Sequence, residues 1–142
     1  TVIVSSQVES NVYFEGATFQ NIWFANNEFN NGGYSVFYNN NGYPEYANVL
    51  LFSNNSFDNN YKPMYLHSIS DLYIESNNFT NQDNIVLDLE NIHQSLSIYK
   101  NNVTTSGSKC LAFDIYNGEE GTIHRIANNF FNLNSDTVSS RN

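Results

Sequence analysis

The sequence predicts an all-β chain wound into a right-handed parallel β-helix, a solenoid of about five to six coils of 22–28 residues. The first observation behind this is a recurring frame. It runs Phe24-Ala25-Asn26-Asn27-Glu28-Phe29, Phe52-Ser53-Asn54-Asn55-Ser56-Phe57, Ile74-Glu75-Ser76-Asn77-Asn78-Phe79, Ile98-Tyr99-Lys100-Asn101-Asn102-Val103 and Ile126-Ala127-Asn128-Asn129-Phe130-Phe131. A large apolar residue is followed three positions later by Asn and five positions later by another apolar residue. The second observation is spacing: Asn27, Asn55, Asn77, Asn101 and Asn129 lie 28, 22, 24 and 28 residues apart, the period of a solenoid coil. The third is composition. Asn supplies 27 of 142 residues, and with Ser, Thr and β-branched side chains it disfavours helix interiors.

Each element follows in order. The chain opens with the strand-like Thr1-Val2-Ile3-Val4, without an initiator Met or a signal peptide. Residues 1–21 read as an irregular first coil. Within them Val12-Tyr13-Phe14-Glu15-Gly16-Ala17-Thr18-Phe19 keeps the apolar spacing but places Glu15-Gly16-Ala17 where amides would stand. It ends ten residues before Phe29, too close for a full coil. Thereafter the pairs Ile22/Phe24, Leu50/Phe52, Leu72/Ile74 and Leu96/Ile98 alternate with polar or outward residues, a strand pattern of period two. His124 breaks this column ahead of Ile126. The apolar residues after each asparagine (Phe29, Phe57, Phe79, Val103 and Phe131) anchor the following turn inward.

A second strand then comes in each coil: Tyr34 to Tyr38, Met64 to His67, Ile85 to Leu89 and Leu111 to Ile115. Connections from Asn39 to Asn48, Ser68 to Asp71, Glu90 to Ser95 and Tyr116 to Thr122 return to the next coil. Their unequal lengths explain the drifting period, because solenoid insertions go to loops. Coils rising about 4.8 Å each would make five of them roughly 24 Å tall. Residues 1–142 thus read as a single β-helix domain or as a segment of a longer one. Nothing resembles a capping helix, so the parallel edges would stack on further coils of the same protein or on other subunits end to end.

The recurring asparagine has a physical purpose in such a coil. At a corner the backbone leaves peptide groups without ladder partners, and an inward amide both donates and accepts. Asn also tolerates left-handed backbone. The five asparagines therefore read as a structural ladder, and Asn77→Ala is expected to remove roughly 1–3 kcal/mol.

Composition excludes some functions. With 14 acidic residues against 5 basic ones the net charge is −9, which argues against nucleic acid, whose phosphates need clustered Lys and Arg. No run of about 18 apolar residues is present, so no helical membrane span is expected. Cys110 is the single cysteine. No internal disulfide is available to it, and packing at a strand edge is its plain reading, a thiol on another chain the other. Asn54, Asn78 and Asn102 begin Asn-x-Ser/Thr sequons, which matter if the chain passes through a eukaryotic secretory pathway.

The frame Ile/Phe-x-x-Asn-x-Phe/Val, from roughly Val12 to Val138, resembles the repeats of pectate-lyase-like and related carbohydrate-active β-helix proteins. That resemblance implies the fold; no cofactor is expected, with calcium the alternative if the chain is an enzyme, and the expected location is extracellular or at the cell surface. It does not imply one activity, because many members share the repeat. Lyases of this kind use Asp or Glu for calcium and Lys or Arg as base; related hydrolases use clustered aspartates with a His. This chain departs from both, with no Asp-Asp pair, no Gly-His-Gly and no Arg-x-Lys.

Outward columns are where chemistry would sit. On the first strand they read Trp23, Leu51, Tyr73, Ser97, Arg125 and then Ala25, Ser53, Glu75, Tyr99, Ala127. Trp23, Tyr73 and Tyr99 would stack on sugar rings, with Glu75 and Arg125 as polar clamps; plain sheet packing accounts for the same aromatics. On the second strand, stacking Leu66, Leu87 and Phe113 inward aligns His67, Asp88 and Asp114 outward with Tyr38. Two carboxylates on adjacent rungs would repel and raise one pKa, suiting acid–base work or a divalent cation. A solvated polar face explains them equally, and which metal they would hold is open. The leading expectation is a non-catalytic extracellular module, structural or adhesive, in a surface layer or filament. A lyase or hydrolase of acidic polysaccharide and a carbohydrate-binding module are the alternatives.

Overall fold

The computed structural model of the chain describes residues 3–5, 10–15, 21–39, 47–105, 111–116 and 123–134. In chain order their strands are β1 (Ile3–Ser5), β2 (Ser10–Glu15), β3 (Asn21–Ala25), β4 (Glu28–Asn30), β5 (Tyr34–Asn39), β6 (Ala47–Ser53), β7 (Ser56–Asp58) and β8 (Lys62–Glu75). They continue as β9 (Asn78–Thr80), β10 (Ile85–Tyr99), β11 (Asn102–Thr105), β12 (Leu111–Tyr116), β13 (Ile123–Ala127) and β14 (Phe130–Leu133). Among the described residues there is no helix, and every strand pairing is parallel. The fold is a parallel β-solenoid.

Three faces repeat. The short face stacks β1-β4-β7-β9-β11-β14. The second stacks β2, β5, the first halves of β8 and β10, and β12. The third stacks β3, β6, the second halves of β8 and β10, and β13. The stack comes to about four turns, slightly fewer than five to six, because five asparagine corners bound only four intervals. The connections expected from Ser68 to Asp71 and from Glu90 to Ser95 are not loops. They lie inside the continuous strands β8 and β10, which turn at Ser68 (φ 65°) and Asn91 (φ 53°). One left-handed residue redirects the chain without interrupting the pairing, and a one-residue slip between Ile92 and Ser95 absorbs the difference in length. In the expected irregular first coil, β2 joins the regular second face through β5, while residues 16–20 lie outside the described set.

The corners show a division of labour. The residue before each ladder asparagine is left-handed: Asn26 (φ 58°), Asn54 (54°), Ser76 (58°), Lys100 (56°) and Asn128 (57°). A second corner repeats the device at Asn31, Asn59 and Asn81, with φ of 57°, 53° and 55°. Asn is frequent there because its short polar side chain lowers the penalty of that region. The ladder asparagines themselves turn inward.

Between the faces lies the core. Leu50, Leu72 and Leu96 make one buried column, Phe52, Ile74 and Ile98 another, and Phe29, Phe57, Phe79 and Val103 a third. Rings of consecutive coils stack face to face: Phe24 on Phe52 at 5.0 Å, Phe29 on Phe57 at 4.8 Å and Phe57 on Phe79 at 4.7 Å. Such contacts add to the area each ring buries.

Candidate functional site

The asparagine ladder is continuous over its five rungs. Asn27 donates its backbone N–H and Nδ2 to Asn55 Oδ1, at 2.9 and 3.1 Å. Asn55 does the same to Asn77 Oδ1, at 2.9 and 3.0 Å, and Asn77 to Asn101 Oδ1, at 2.9 and 3.1 Å. Asn101 completes the series to Asn129 Oδ1. From the second rung on, Nδ2 also donates to the carbonyl of the apolar residue that opens the frame one coil earlier: Asn55 to Phe24, Asn77 to Phe52, Asn101 to Ile74 and Asn129 to Ile98. The frame Phe/Ile-x-x-Asn is therefore a hydrogen-bonding unit, not only a spacing.

A second ladder escaped the sequence reading. Asn60 Oδ1 accepts from the Gly32 N–H at 3.0 Å, and Gln82 Oε1 accepts from the Asn60 N–H at 3.2 Å. Asn60 Nδ2 donates to the Phe29 carbonyl and Gln82 Nε2 to that of Phe57. Thr105 Oγ1 continues the line by donating to the Gln82 carbonyl. Asn60 and Gln82 are fully buried. Their signal was a polar residue three positions after the anchors Phe57 and Phe79, but the changing residue type hid the repeat.

The residues expected to align as an acid–base column on the second face are arranged differently. Backbone register pairs Tyr65 with Asp88 and Asp88 with Asp114, while His67 pairs with Glu90 and Asn39. His67 is thus one column away from Asp88, and Tyr38 is not outward at all: it is buried in the column of Leu66 and Leu89. The expected alignment of Leu66 with Leu87 is off by two residues. A slip of two leaves every side chain on its own face, so alternation cannot reveal it. The side chains nonetheless converge. Lys62 Nζ donates to Asp88 Oδ2 at 2.6 Å, and His67 places Nδ1 3.2 Å from Glu90 Oε2 and Nε2 3.8 Å from Asp88 Oδ1. The His67 contacts lie at ion-pair distances without hydrogen-bond alignment. Asp114 shares the Asp88 column by backbone register, and its side chain lies outside the described set.

Electrostatics follow from this packing. Burial pushes the Asp88 carboxyl up, but His67 and the Lys62 ammonium together pull harder, so Asp88 stays below the usual carboxylate range. Asp88 is thus lowered, where adjacent carboxylate rungs had suggested a raised pKa, and the Lys62 ammonium pairs with it. Burial, then the charges of Asp88 and Glu90, push the Tyr65 phenol up. Tyr13, Phe37 and Tyr65 stack along this column at 4.8 and 4.7 Å with interplanar angles of 6° and 5°, and His67 stacks on Tyr65 at 3.9 Å. Rings stacked along the axis turn their edges outward. His67 is 3% exposed, so its nitrogens face the cluster and not solvent.

The third face carries the expected binding residues in the expected columns. Trp23, Leu51, Tyr73, Ser97 and Arg125 are in register, as are Ala25, Ser53, Glu75, Tyr99 and Ala127. Ser97 Oγ donates to Glu75 Oε1 at 3.1 Å. The Arg125 guanidinium lies 4.1 Å from the Tyr99 ring centre and Lys100 Nζ 5.1 Å from it, so cations already occupy that ring. The Asn128 amide donates to the Tyr99 hydroxyl and lowers the phenol pKa against the upward push of burial, with help from Lys100 and Arg125. Trp23 is 72% exposed.

An open groove of about 370 Å³ follows the first corner, lined among others by Asn26, Asn54, Ser76, Glu28, Ser56 and Asn78. Two of the sequon asparagines, Asn54 and Asn78, line it, and Asn102 one rung further donates Nδ2 to Asn78 Oδ1 at 2.6 Å. Among the described residues no three His, Cys, Asp or Glu side chains are placed to hold a metal ion. Cys110 lies outside them. The chain matches no family model, no curated protein and no solved structure. What stands is a parallel β-solenoid with buried amide ladders.

Proposed function

We propose that this chain is a structural module: a stiff, non-catalytic rod segment of an extracellular surface or filament protein. One observation carries the reading. Among the described residues, the conspicuous polar and aromatic groups pair along the stack axis, from one rung to the next. The amide ladders, the Tyr13-Phe37-Tyr65 stack, the Lys62–Asp88 pair and the Arg125–Tyr99 contact all run this way. Axial bonding resists shear and bending between coils, which suits a spacer. Kinship with pectate-lyase-like proteins belongs to the same proposal and rests on the Ile/Phe-x-x-Asn-x-Phe/Val frame.

The experiment is turnover of acidic polysaccharides with and without calcium. The structural reading expects no chain cleavage. Cleavage that disappears in Asp88→Asn or Glu75→Gln would replace it with the enzyme reading.

A further inference from the structure

We propose that the two amide ladders also protect this chain chemically. Each ladder oxygen holds the backbone N–H that follows a corner asparagine and so blocks that asparagine from closing to a succinimide. Asn31-Gly32 is the modification site that opens when the hold is lost. This goes beyond the structural reading and does not depend on it.

An asparagine amide is lost by attack from its own backbone. The nitrogen of the next residue gives its proton to hydroxide and attacks Cγ. A C–N bond forms, the bond from Cγ to Nδ2 breaks, and ammonia leaves. Water then opens the five-membered imide at either carbonyl, giving aspartate or isoaspartate; the latter carries the main chain through the side-chain carbon. The step needs a free N–H on the following residue. It is fastest before glycine, which has no Cβ to obstruct ring closure. Asparagine is thermolabile for this reason, and the chain has 27 of them.

The corners put asparagine in water and the next nitrogen under the ladder. Asn26, Asn31, Asn54 and Asn59 are left-handed and exposed. In all four the following N–H is taken by a ladder oxygen of the next coil. The Asn27 N–H donates to Asn55 Oδ1 at 2.9 Å, that of Gly32 to Asn60 Oδ1 at 3.0 Å, that of Asn55 to Asn77 Oδ1 at 2.9 Å and that of Asn60 to Gln82 Oε1 at 3.2 Å. All four acceptor residues are buried. Each coil's amide therefore guards the corner of the coil before it, and attack has to wait for local opening.

The Asn31-Gly32 corner is the sharpest case. Asn31 is exposed and Gly32 buried. The backbone is pinned on both sides: the Asn31 N–H donates to the Asp58 carbonyl at 3.1 Å, and the Gly32 carbonyl accepts from the Tyr61 N–H at 2.9 Å. Asn59 Nδ2 donates to Asn31 Oδ1 at 2.6 Å and orients the carboxamide. Nucleophile and electrophile are both tied to the next coil, so neither swings toward the other while these bonds hold.

The test is prolonged incubation of the full chain in mildly alkaline buffer, with peptide mapping that reads the amide-to-acid mass gain at each asparagine. In the folded parent, Asn31 should be lost at least about tenfold more slowly than in the same chain unfolded in urea, the factor that about 1.4 kcal/mol of added barrier gives. Asn60→Ala frees the Gly32 N–H and should speed loss at Asn31. Asn60→Gln keeps an acceptor of the kind Gln82 supplies one coil on, and should keep Asn31 protected. Gln82→Ala breaks the same ladder but frees the Asn60 N–H, so it should speed loss at Asn59 and leave Asn31 unchanged. If Asn60→Ala does not fold, the urea comparison and Gln82→Ala decide. A folded parent that loses Asn31 at the unfolded rate overturns the proposal. So does an Asn31 unaffected in folded Asn60→Ala, or a Gln82→Ala that speeds Asn31 as much as Asn59, which is general loosening.

Discussion

Asn77→Ala probes the ladder at its most enclosed rung. The Asn77 side chain is 1% exposed. Its Oδ1 accepts from the Asn55 N–H and Nδ2, and its Nδ2 donates to the Phe52 carbonyl and Asn101 Oδ1. Alanine removes all four bonds. The neighbouring amides keep partners, since Asn55 Nδ2 still reaches the Phe24 carbonyl and Asn101 Oδ1 still receives the Asn77 N–H. The Asn55 N–H and the Phe52 carbonyl lose this partner where water does not enter. A buried unpaired group costs about 1–3 kcal/mol, so the two together are worth about 2–6 kcal/mol. That reaches above the roughly 1–3 kcal/mol expected from the sequence, because the structure counts two buried groups that lose their partner. Asn129→Ala, at the partly buried last rung, should lose only about 1 kcal/mol. Equilibrium urea unfolding of both variants measures the difference. If Asn77→Ala sits within about 0.5 kcal/mol of the parent, or Asn129→Ala is the worse of the two, the ladder does not hold the corner.

Three further outcomes are expected. Asn60→Ala and Gln82→Ala should each cost about 1–3 kcal/mol, and because the two residues share a hydrogen bond, the double variant should depart from additivity by about 0.5 kcal/mol or more in a thermodynamic cycle. Ser76→Asn should stabilise by up to about 1 kcal/mol in thermal melts, since Ser76 holds a left-handed corner where its equivalents Asn26, Asn54 and Asn128 are asparagine; a loss of stability would mean that Ser76 has another role. Asp88 has its pKa lowered in the folded state, so its contribution is complete above the ordinary carboxylate value of about 3.9 and is lost as pH falls through the lower folded value. Asp88→Asn should therefore cost about 1 kcal/mol at pH 7 in urea melts and flatten the acid limb of the stability curve; an unchanged acid limb would remove Asp88 from the cluster.

Much of the scaffold was legible because it repeats in residue type. The Asn27-to-Asn129 series, the inward columns before it and both outward columns of the third face follow from one frame and a period of two. Corners at Ser68 and Asn91 were located but read as loops, because one left-handed residue turns the strand without interrupting its pairing and the sequence does not show that continuity. The second ladder changes from Gly32 to Asn60 to Gln82 to Thr105, so its function is constant while its letters are not. The second-face cluster was found in part. His67 and Asp88 do meet, but Lys62 and Glu90 complete the group, and the two-residue slip that aligns Leu66 with Leu89 left no trace in the alternation. Lys62 matters most among the omissions, since its ammonium pairs with Asp88 and lowers its pKa.

The most direct test of the account is hydrogen exchange of asparagine side-chain amides, read by NMR. Axial amide ladders at the core corner predict that the Nδ2 protons of Asn55, Asn77 and Asn101 exchange as slowly as backbone protons of β8 and β10. Those of the exposed Asn54 and Asn81 should exchange freely in the same sample. Uniformly fast exchange across all of these side chains would contradict the ladder and, with it, the stacking that defines the solenoid.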